Sequence, residues 1–533
     1  MSQNTVYETR VRMSDGVELY TVVVLPDDGK GKYPTIITRN PYCSTNGGLE
    51  AFRTQHECHG YAYVYQHCRG TALSNGICVP YVNERKDGLE LLDWIRQQPF
   101  YNGELFLNGG SYLSSVHFSY LNTNPKDIKG AFLPVQDSTR YNILYRNGFF
   151  KTGLHGGWAV TMYKKNMDIP RNICPDTWRT LPLAGITKFI FNETNELLEE
   201  EMLHPDPSDP FWQTPAGGSD YMDVCNHCDI PILLVTAFYD LYTEGVFDMW
   251  DKLTPEHKKD CALIVTPFEH SYNPPPRKEP SNVPDFENAR LSEVCPDLMY
   301  MWFDHCRTGA PLQFIEKGKT TYYRLFDRQW LTVPRLENGP RVREFHLTQT
   351  RGLQEVPTTE DGSITYTYNP FAPAPFEGGV CNNFGGMKVQ SAPNSRYDIV
   401  SFVSEPLTEE MVCEGRIEVE LHCSSTAPDT CFYVRLDYVR NGVALSLRDD
   451  IDSLCRVDTD YTPGEERTLR YVFAPHAFKL LPGDQLRLDV SSSCVPFFHV
   501  HTNRKGIQTL QTGADICRNT IHTGQSLIRL FTL

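Results

Sequence analysis

The sequence has no apolar run near the roughly 18 residues a membrane helix requires, and its opening stretch, MSQNTVYETRVRMSDG, has no apolar core of a secretory signal. No basic cluster interrupts a formal net charge of −16. That acidity argues against nucleic acid or an anionic membrane surface as a partner. Cysteine is plentiful at 17, but the count is odd and no tandem spacing occurs. Cys225-Asn226-His227-Cys228 is the one close pair, and a zinc site would want a second. The cysteines read as mostly reduced thiols of a cytoplasmic protein, with no metal site expected. Internal repeats and long low-complexity linkers are also absent. What remains is a 533-residue chain, 40% hydrophobic and 22% charged. It has room for about two to four soluble globular domains.

The pattern changes along the chain. In residues 1–136, apolar runs at Thr35–Thr38, Tyr61–Gln66, Leu105–Asn108 and Ala131–Val135 read as buried strands, and Asn83–Gln97 as a helix. From Asp137 such runs stop and aromatics become dense: Tyr141, Tyr145, Phe149, Phe150, Trp158, Tyr163 and Trp178. Apolar strands return at Pro231–Thr236 and Ala262–Thr266. Residues 1–136 and 231–314 are therefore expected to form one mostly parallel α/β core, with 137–230 inserted as a helical cap. From about residue 315 the period becomes 2, as where Ile417, Val419, Leu421 and Cys423 alternate with Glu418, Glu420 and His422. Residues 315–533 are expected to be an antiparallel β-sandwich with one wet face, Arg435 among its exposed positions.

Chemistry enters at Leu107-Asn108-Gly109-Gly110-Ser111-Tyr112. An apolar strand end, two glycines, a serine and a helix-like run have the order of a nucleophile elbow, which lifts a hydroxyl above the sheet. A serine nucleophile needs a base and an acid to orient it. Asp240 follows the strand at 231–236, and His270 follows the strand at 262–266. Ser111, Asp240 and His270 thus stand in the order that fold requires. Glu244 and Glu269 are the nearest rival acids.

With these residues in place, the chain resembles the cocaine esterase and X-Pro dipeptidyl-peptidase family of serine hydrolases. The likeness runs through Ser14-Asp15-Gly16-Val17-Glu18-Leu19, Arg39-Asn40-Pro41-Tyr42, Arg69-Gly70, Ser74-Asn75-Gly76, Gly109-Gly110-Ser111-Tyr112, Phe238-Tyr239-Asp240 and Glu269-His270-Ser271. In the sandwich it continues through Ala427-Pro428-Asp429-Thr430 and Val490-Ser491-Ser492-Ser493. The resemblance implies an α/β-hydrolase core, an inserted helical cap and a C-terminal jelly roll. It also implies an oxyanion hole made by the Tyr112 amide and the Tyr42 hydroxyl, and an aromatic pocket residue at Tyr242. Trp158, in the aromatic-rich cap, is the second candidate for the acyl pocket. Two positions depart from the family pattern. Ser114 stands where glycine is usual and is expected to crowd the helix start, and His67 replaces an aspartate, so the pocket is expected to be altered.

The expected activity is hydrolysis of a small acyl ester, less readily an amide, through an acyl-enzyme and without metal or organic cofactor. An X-Pro dipeptidyl aminopeptidase or α-amino-acid ester hydrolase is the alternative. It would require acids near the nucleophile, for which Glu193, Glu196 and Asp220 are the cap candidates. The peptidases also carry an N-terminal helical extension not seen here. A distant alternative is a non-catalytic carbohydrate-binding protein that uses the jelly roll. The expected partner is a small ester or amide, and self-association into a homo-oligomer is compatible with the sequence.

Overall fold

The computed structural model describes residues 4–42, 58–162, 175–214, 216–218, 227–274, 286–357, 362–381 and 385–533. Tyr163, Asp220 and Cys225, all singled out above, lie outside the described residues.

The apolar runs of the first half pair into a ten-stranded sheet. Its strands are β1 (Thr5–Arg12), β2 (Glu18–Leu25), β3 (Tyr33–Asn40), β4 (Ala62–His67), β5 (Tyr101–Asn108), β6 (Ile128–Pro134), β7 (Ile232–Ala237), β8 (Ala262–Thr266), β9 (Thr320–Arg324) and β10 (Gln329–Val333). The spatial order is β1-β2-β4-β3-β5-β6-β7-β8-β9-β10. The first and last pairs are antiparallel, β2 meets β4 antiparallel, and the ladders from β4 to β9 are parallel. Val64, Leu105, Phe106, Leu107, Leu233 and Ile264 are fully buried, because layers cover both faces of a parallel sheet. Helices α1 (Glu84–Arg96) and α2 (Tyr112–Leu121) contact each other, and α1 buries Leu91, Leu92 and Ile95.

This sheet does not stop near residue 315. β9 and β10 form an antiparallel hairpin that extends it, and the second sheet begins at Arg341. The period-2 pattern of an edge hairpin is the same as that of a sandwich strand, so periodicity could not tell them apart.

Between β6 and β7 the chain builds the cap. Its short helices include Arg140–Leu144, Gly157–Met162, Ile186–Phe191 and Glu196–Glu201, joined by a two-strand ladder, Tyr145–Arg146 with Phe149–Phe150. Leu144, Tyr145, Phe150, Val160, Trp178, Leu198, Met202 and Trp212 make a core of its own. The acidic stretch Glu193–Glu201 is not wholly solvated, since Leu198 and Glu201 are buried.

The C-terminal part is an eleven-stranded antiparallel-rich assembly around the long strands Met411–Ser425 and Cys517–Thr532. Ile417, Val419, Leu421 and Cys423 point inward as their alternation predicted. The strand Cys431–Arg440 does not alternate: Tyr433, Arg435 and Asp437 are buried as well. Arg435, expected to be exposed, instead pairs with Asp437 at 2.9 Å and Asp489 at 2.6 Å. The segment at 385–391 lies over this side, with Arg487 donating to the Ser391 carbonyl and Gln390 N–H to that of Ala444. A buried apolar cluster runs from the first sheet into the sandwich without a break. No helix among the described residues is long and apolar enough to cross a membrane.

Candidate active site

The elbow follows from two local demands. A side chain at Gly109 would put its Cβ 2.6 Å from the Leu113 carbonyl oxygen, so the turn excludes one. At Gly110 the same atom would meet nothing closer than 3.9 Å, and this second glycine is not sterically required. Ser111 has φ +59° and ψ −129°, an arrangement that L-residues rarely adopt. Its N–H donates to the Pro134 carbonyl at 3.0 Å, tying the turn to the end of β6. Tyr112 then begins α2.

Ser114 does not crowd this turn. It is fully buried, and its hydroxyl lies 2.5 Å from the Gly109 carbonyl oxygen and 2.9 Å from that of Pro134. A serine here staples elbow to strand where glycine would leave a gap. His67 is likewise buried, among Tyr20 and Tyr65, and its Nδ1 lies 3.4 Å from the Leu73 amide.

Strand register brings the other groups to the same edge. Thr236 and Ala237 of β7 pair with Val265 and Thr266 of β8, so the loops that follow emerge side by side. The Phe238 and Tyr239 amides donate to the Thr266 and Phe268 carbonyls at 2.9 and 3.0 Å. These loops carry Asp240 and His270. His270 Nδ1 lies 2.9 Å from Asp240 Oδ1, and Nε2 lies 2.8 Å from Ser111 Oγ. A carboxylate can only accept, so Nδ1 is the protonated nitrogen and Nε2 accepts the serine hydroxyl. Asp240 is fully buried and the His270 side chain is 15% exposed, which leaves the imidazole reachable from the cleft. The rival acids face elsewhere: Glu244 Oε1 accepts from Arg448 at 3.0 Å, and the Glu269 carboxylate points toward Gly386.

Tyr42 follows β3, the neighbour of β5, and its amide donates to Asn40 Oδ1 at 2.9 Å. Its ring stands edge-on to that of Tyr112, with centroids 6.3 Å apart. The Tyr112 side chain turns away from the serine. Its hydroxyl donates to Glu84 Oε1 at 2.5 Å and accepts from the Tyr81 amide at 2.9 Å. Burial pushes the Glu84 carboxyl upward despite that bond. The two pocket candidates lie at different depths, one against the imidazole and one against the Tyr112 ring. Tyr242 sits edge-on to the His270 imidazole at 5.2 Å, and Trp158 edge-on to Tyr112 at 5.2 Å.

Sequence reasoning misses the residues behind this wall. Tyr81, at φ +71°, packs 4.6 Å from Tyr112 and 6.0 Å from Trp158. The Arg140 guanidinium lies 3.7 Å over the Tyr81 ring and pairs with Glu201, which also meets His155 at 3.4 Å. Burial lowers His155 to about 4. Burial would raise Glu201, but the Arg140 charge and the His155 bond hold it below its ordinary value. Nothing in the spacing of Tyr81, Arg140, His155 and Glu201 marks them as neighbours. The cap candidates Glu193 and Glu196 are exposed.

A family model described as X-Pro dipeptidyl-peptidase (S15 family) matches residues 15–272. One described as the X-Pro dipeptidyl-peptidase C-terminal non-catalytic domain matches residues 336–527. The cocaine esterase of Rhodococcus sp. (strain MB1 Bresler) is 24% identical over 570 aligned residues, covering 96% of this chain and 95% of that protein. The structure of an aminopeptidase from a marine sediment archaeon, Thaumarchaeota archaeon, matches with a TM-score of 0.84 at 19% identity, over 100% of this chain and 97% of that chain. That of an α-amino acid ester hydrolase matches with a TM-score of 0.82 at 19% identity, over 100% and 97%. At such identity the two structures speak for the fold.

Proposed function

The chain belongs to the cocaine esterase and X-Pro dipeptidyl-peptidase (S15) family of serine hydrolases, and from that premise we propose that it cleaves carboxylic esters of small acyl groups through a covalent acyl-enzyme. The observation that carries this reading is His270 placed 2.8 Å from Ser111 Oγ and 2.9 Å from Asp240 Oδ1. In this proposal Ser111 Oγ attacks the ester carbonyl carbon while His270 Nε2 takes its proton. Asp240 holds the imidazole and balances the charge it gains. The tetrahedral oxyanion is met by the Tyr112 amide and the Tyr42 hydroxyl, each donor contributing about 2.7–4 kcal/mol by analogy with other oxyanion holes. His270 returns the proton to the leaving alcohol, which departs as the C–O bond breaks. Water, deprotonated by the same nitrogen, then attacks the acyl-serine and releases the acid. No step requires a metal or an organic cofactor.

The wall around the serine favours ester over dipeptide. It is built from the rings of Tyr242, edge-on to His270, and Tyr42, edge-on to Tyr112, backed by Tyr81 and Trp158 packed on Tyr112, and such rings suit an apolar acyl or aryl group. A substrate ammonium would require a carboxylate facing the cleft. Glu84 and Glu201, buried near this wall, are engaged with Tyr112 and Arg140.

A fluorophosphonate should form a stoichiometric adduct on Ser111, mapped by mass spectrometry of the digested protein. Turnover of p-nitrophenyl esters of graded acyl length should exceed that of X-Pro p-nitroanilides by at least roughly tenfold in kcat/KM. No adduct would leave a binding protein, and faster cleavage of the X-Pro amides would install the peptidase reading.

A further inference from the structure

The loop bearing Asp240 is held from the other side of the molecule. We propose that the C-terminal sandwich positions the catalytic acid, with Arg448 as the central positioning residue. The inference rests on Asp240 orienting His270, and it assigns work on the active site to a region whose family description reads non-catalytic.

Asp240 has few side-chain restraints of its own. Among the described residues its carboxylate meets His270 Nδ1 and, at a long 3.4 Å, Thr236 Oγ1. Its aim is therefore set by the backbone of the loop. Sandwich groups hold that backbone on both sides of Asp240. Arg448 Nη1 donates to the Phe238 carbonyl, and Nη2 donates to Glu244 Oε1 at 3.0 Å. Tyr239 Oη donates to the Ser446 carbonyl at 2.9 Å, and the Cys381 amide donates to the Tyr239 carbonyl at 2.9 Å. The Ala474 amide donates to Glu244 Oε1 at 2.6 Å, and the His476 imidazole stacks on the Phe238 ring at 4.4 Å. These partners lie more than a hundred residues away in sequence.

Arg448 suits this task for a chemical reason. Its planar fork reaches a carbonyl before Asp240 and a carboxylate after it at once, which the single ammonium of lysine cannot do. It is buried, so the pair is shielded from water and the geometry stays narrow. A small cavity of about 70 Å³, lined by Leu241, Glu244, Arg448, Asp449, Lys151 and Asp137 among others, lies beside the loop. Phe238 and Tyr239 are packed in the core, and on the cavity side, where packing is incomplete, the hydrogen bonds add direction to the loop's position.

The test compares Arg448→Lys with Arg435→Lys, which alters an equally buried arginine on the next strand whose ion pairs stay within the sandwich. Arg448→Lys should lower kcat roughly 10- to 100-fold with KM little changed, since a displacement near 1 Å costs that much. Its acid limb in kcat/KM against pH should move to lower pH, because an imidazole less well paired with its carboxylate holds its proton less tightly. Arg435→Lys should lower Tm and leave kcat and the limb unmoved. Tyr239→Phe removes one bond of the same hold without burying a new charge, and should cost kcat roughly threefold or more. It also serves if Arg448→Lys does not fold. Asp240→Asn, measured in parallel, separates the two readings. If Asp240→Asn is mild, the acid's role itself fails. If Asp240→Asn is inactive while the folded Arg448→Lys keeps the parent kcat and pH limb, the proposal is overturned. An unchanged Tyr239→Phe, or a kcat loss in Arg435→Lys matching that of Arg448→Lys, overturns it as well.

Discussion

The strands beneath the site and those of the sandwich treat charge in opposite ways. In the first, β5 to β8 are apolar along their buried length, and the ionisable groups of the site, Asp240 and His270, sit in loops beyond their carboxyl ends. In the sandwich, charges lie within the strands, buried and paired: Arg435 with Asp437 and Asp489, and Arg487 with Asp489, while the buried Arg448 reaches out of its strand to Glu244 of the first unit. A loop beyond a sheet edge can be re-aimed at little energetic cost. A buried ion pair cannot leave its partner without stranding a charge in a poorly solvating interior. The first arrangement serves chemistry and the second serves position, and the acid loop joins them.

That contrast can be broken most sharply at the serine. Ser111→Ala should reduce ester turnover on the order of 10⁴-fold or more while Tm stays within about a degree of the parent, because the hydroxyl is used in chemistry and adds little to packing. Residual activity above a tenth would remove Ser111 from its role. The opposite signature is expected from Arg435→Met, which takes the 2.9 Å partner from Asp437, a carboxyl that burial already pushes up, leaves it Arg487 Nε at 3.7 Å, and removes part of the Asp489 pairing. Urea denaturation should show a loss of about 3–5 kcal/mol, with kcat of the folded fraction unchanged. A drop in kcat would blur the division between the two sheets.

Back at the catalytic edge, Tyr42→Phe should cost about 2.7–4 kcal/mol in kcat and little in stability, if its hydroxyl meets the oxyanion. A loss below threefold would point to another donor. The cap mixes both behaviours. His155 is lowered from 6.5 to about 4 by burial, so below pH 6.5 the unfolded chain takes up a proton that the folded chain resists. Stability should therefore fall as pH drops from about 6.5 toward 4, by about 3 kcal/mol from this group, and Glu201, held low, continues the loss in the same direction. Denaturation at pH 7 and 4.5 should show a smaller difference in His155→Gln, and an equal one would refute the assignment. The smallest effect is expected at the pocket wall. Trp158→Ala and Tyr242→Ala should each reorder acyl groups in kcat/KM by about 1–3 kcal/mol, and an unaltered ranking in both would place the acyl pocket elsewhere.

Several of these residues are legible in the sequence, each for its own reason. Ser111, Asp240 and His270 can be found because each follows an apolar strand, and strand ends are a local pattern. Trp158 and Tyr242 stand out, one from aromatic density and one from family likeness. Arg435 misleads because alternation reports which residues share a face, and says nothing about what covers that face. β9 and β10 fall to the wrong sheet for a related cause, since two residues per repeat describe any half-buried strand. Tyr81 carries no signal at all: its place depends on a positive φ and on an arginine 59 residues later in the cap.

The sequence by itself determined the order in which Ser111, Asp240 and His270 follow their strands, the α/β character of the first half and the presence of a β-sandwich in the second. Each is written in neighbouring residues, where apolar spacing and turn chemistry act over a few positions. Tertiary structure alone decided that β7 and β8 end in register, bringing His270 to 2.9 Å from Asp240 and 2.8 Å from Ser111. It alone placed Arg448 against a loop about two hundred residues earlier in the chain. Such contacts are made when one buried surface closes on another, and the hydrogen bonds of a charged group depend on the partner it meets there.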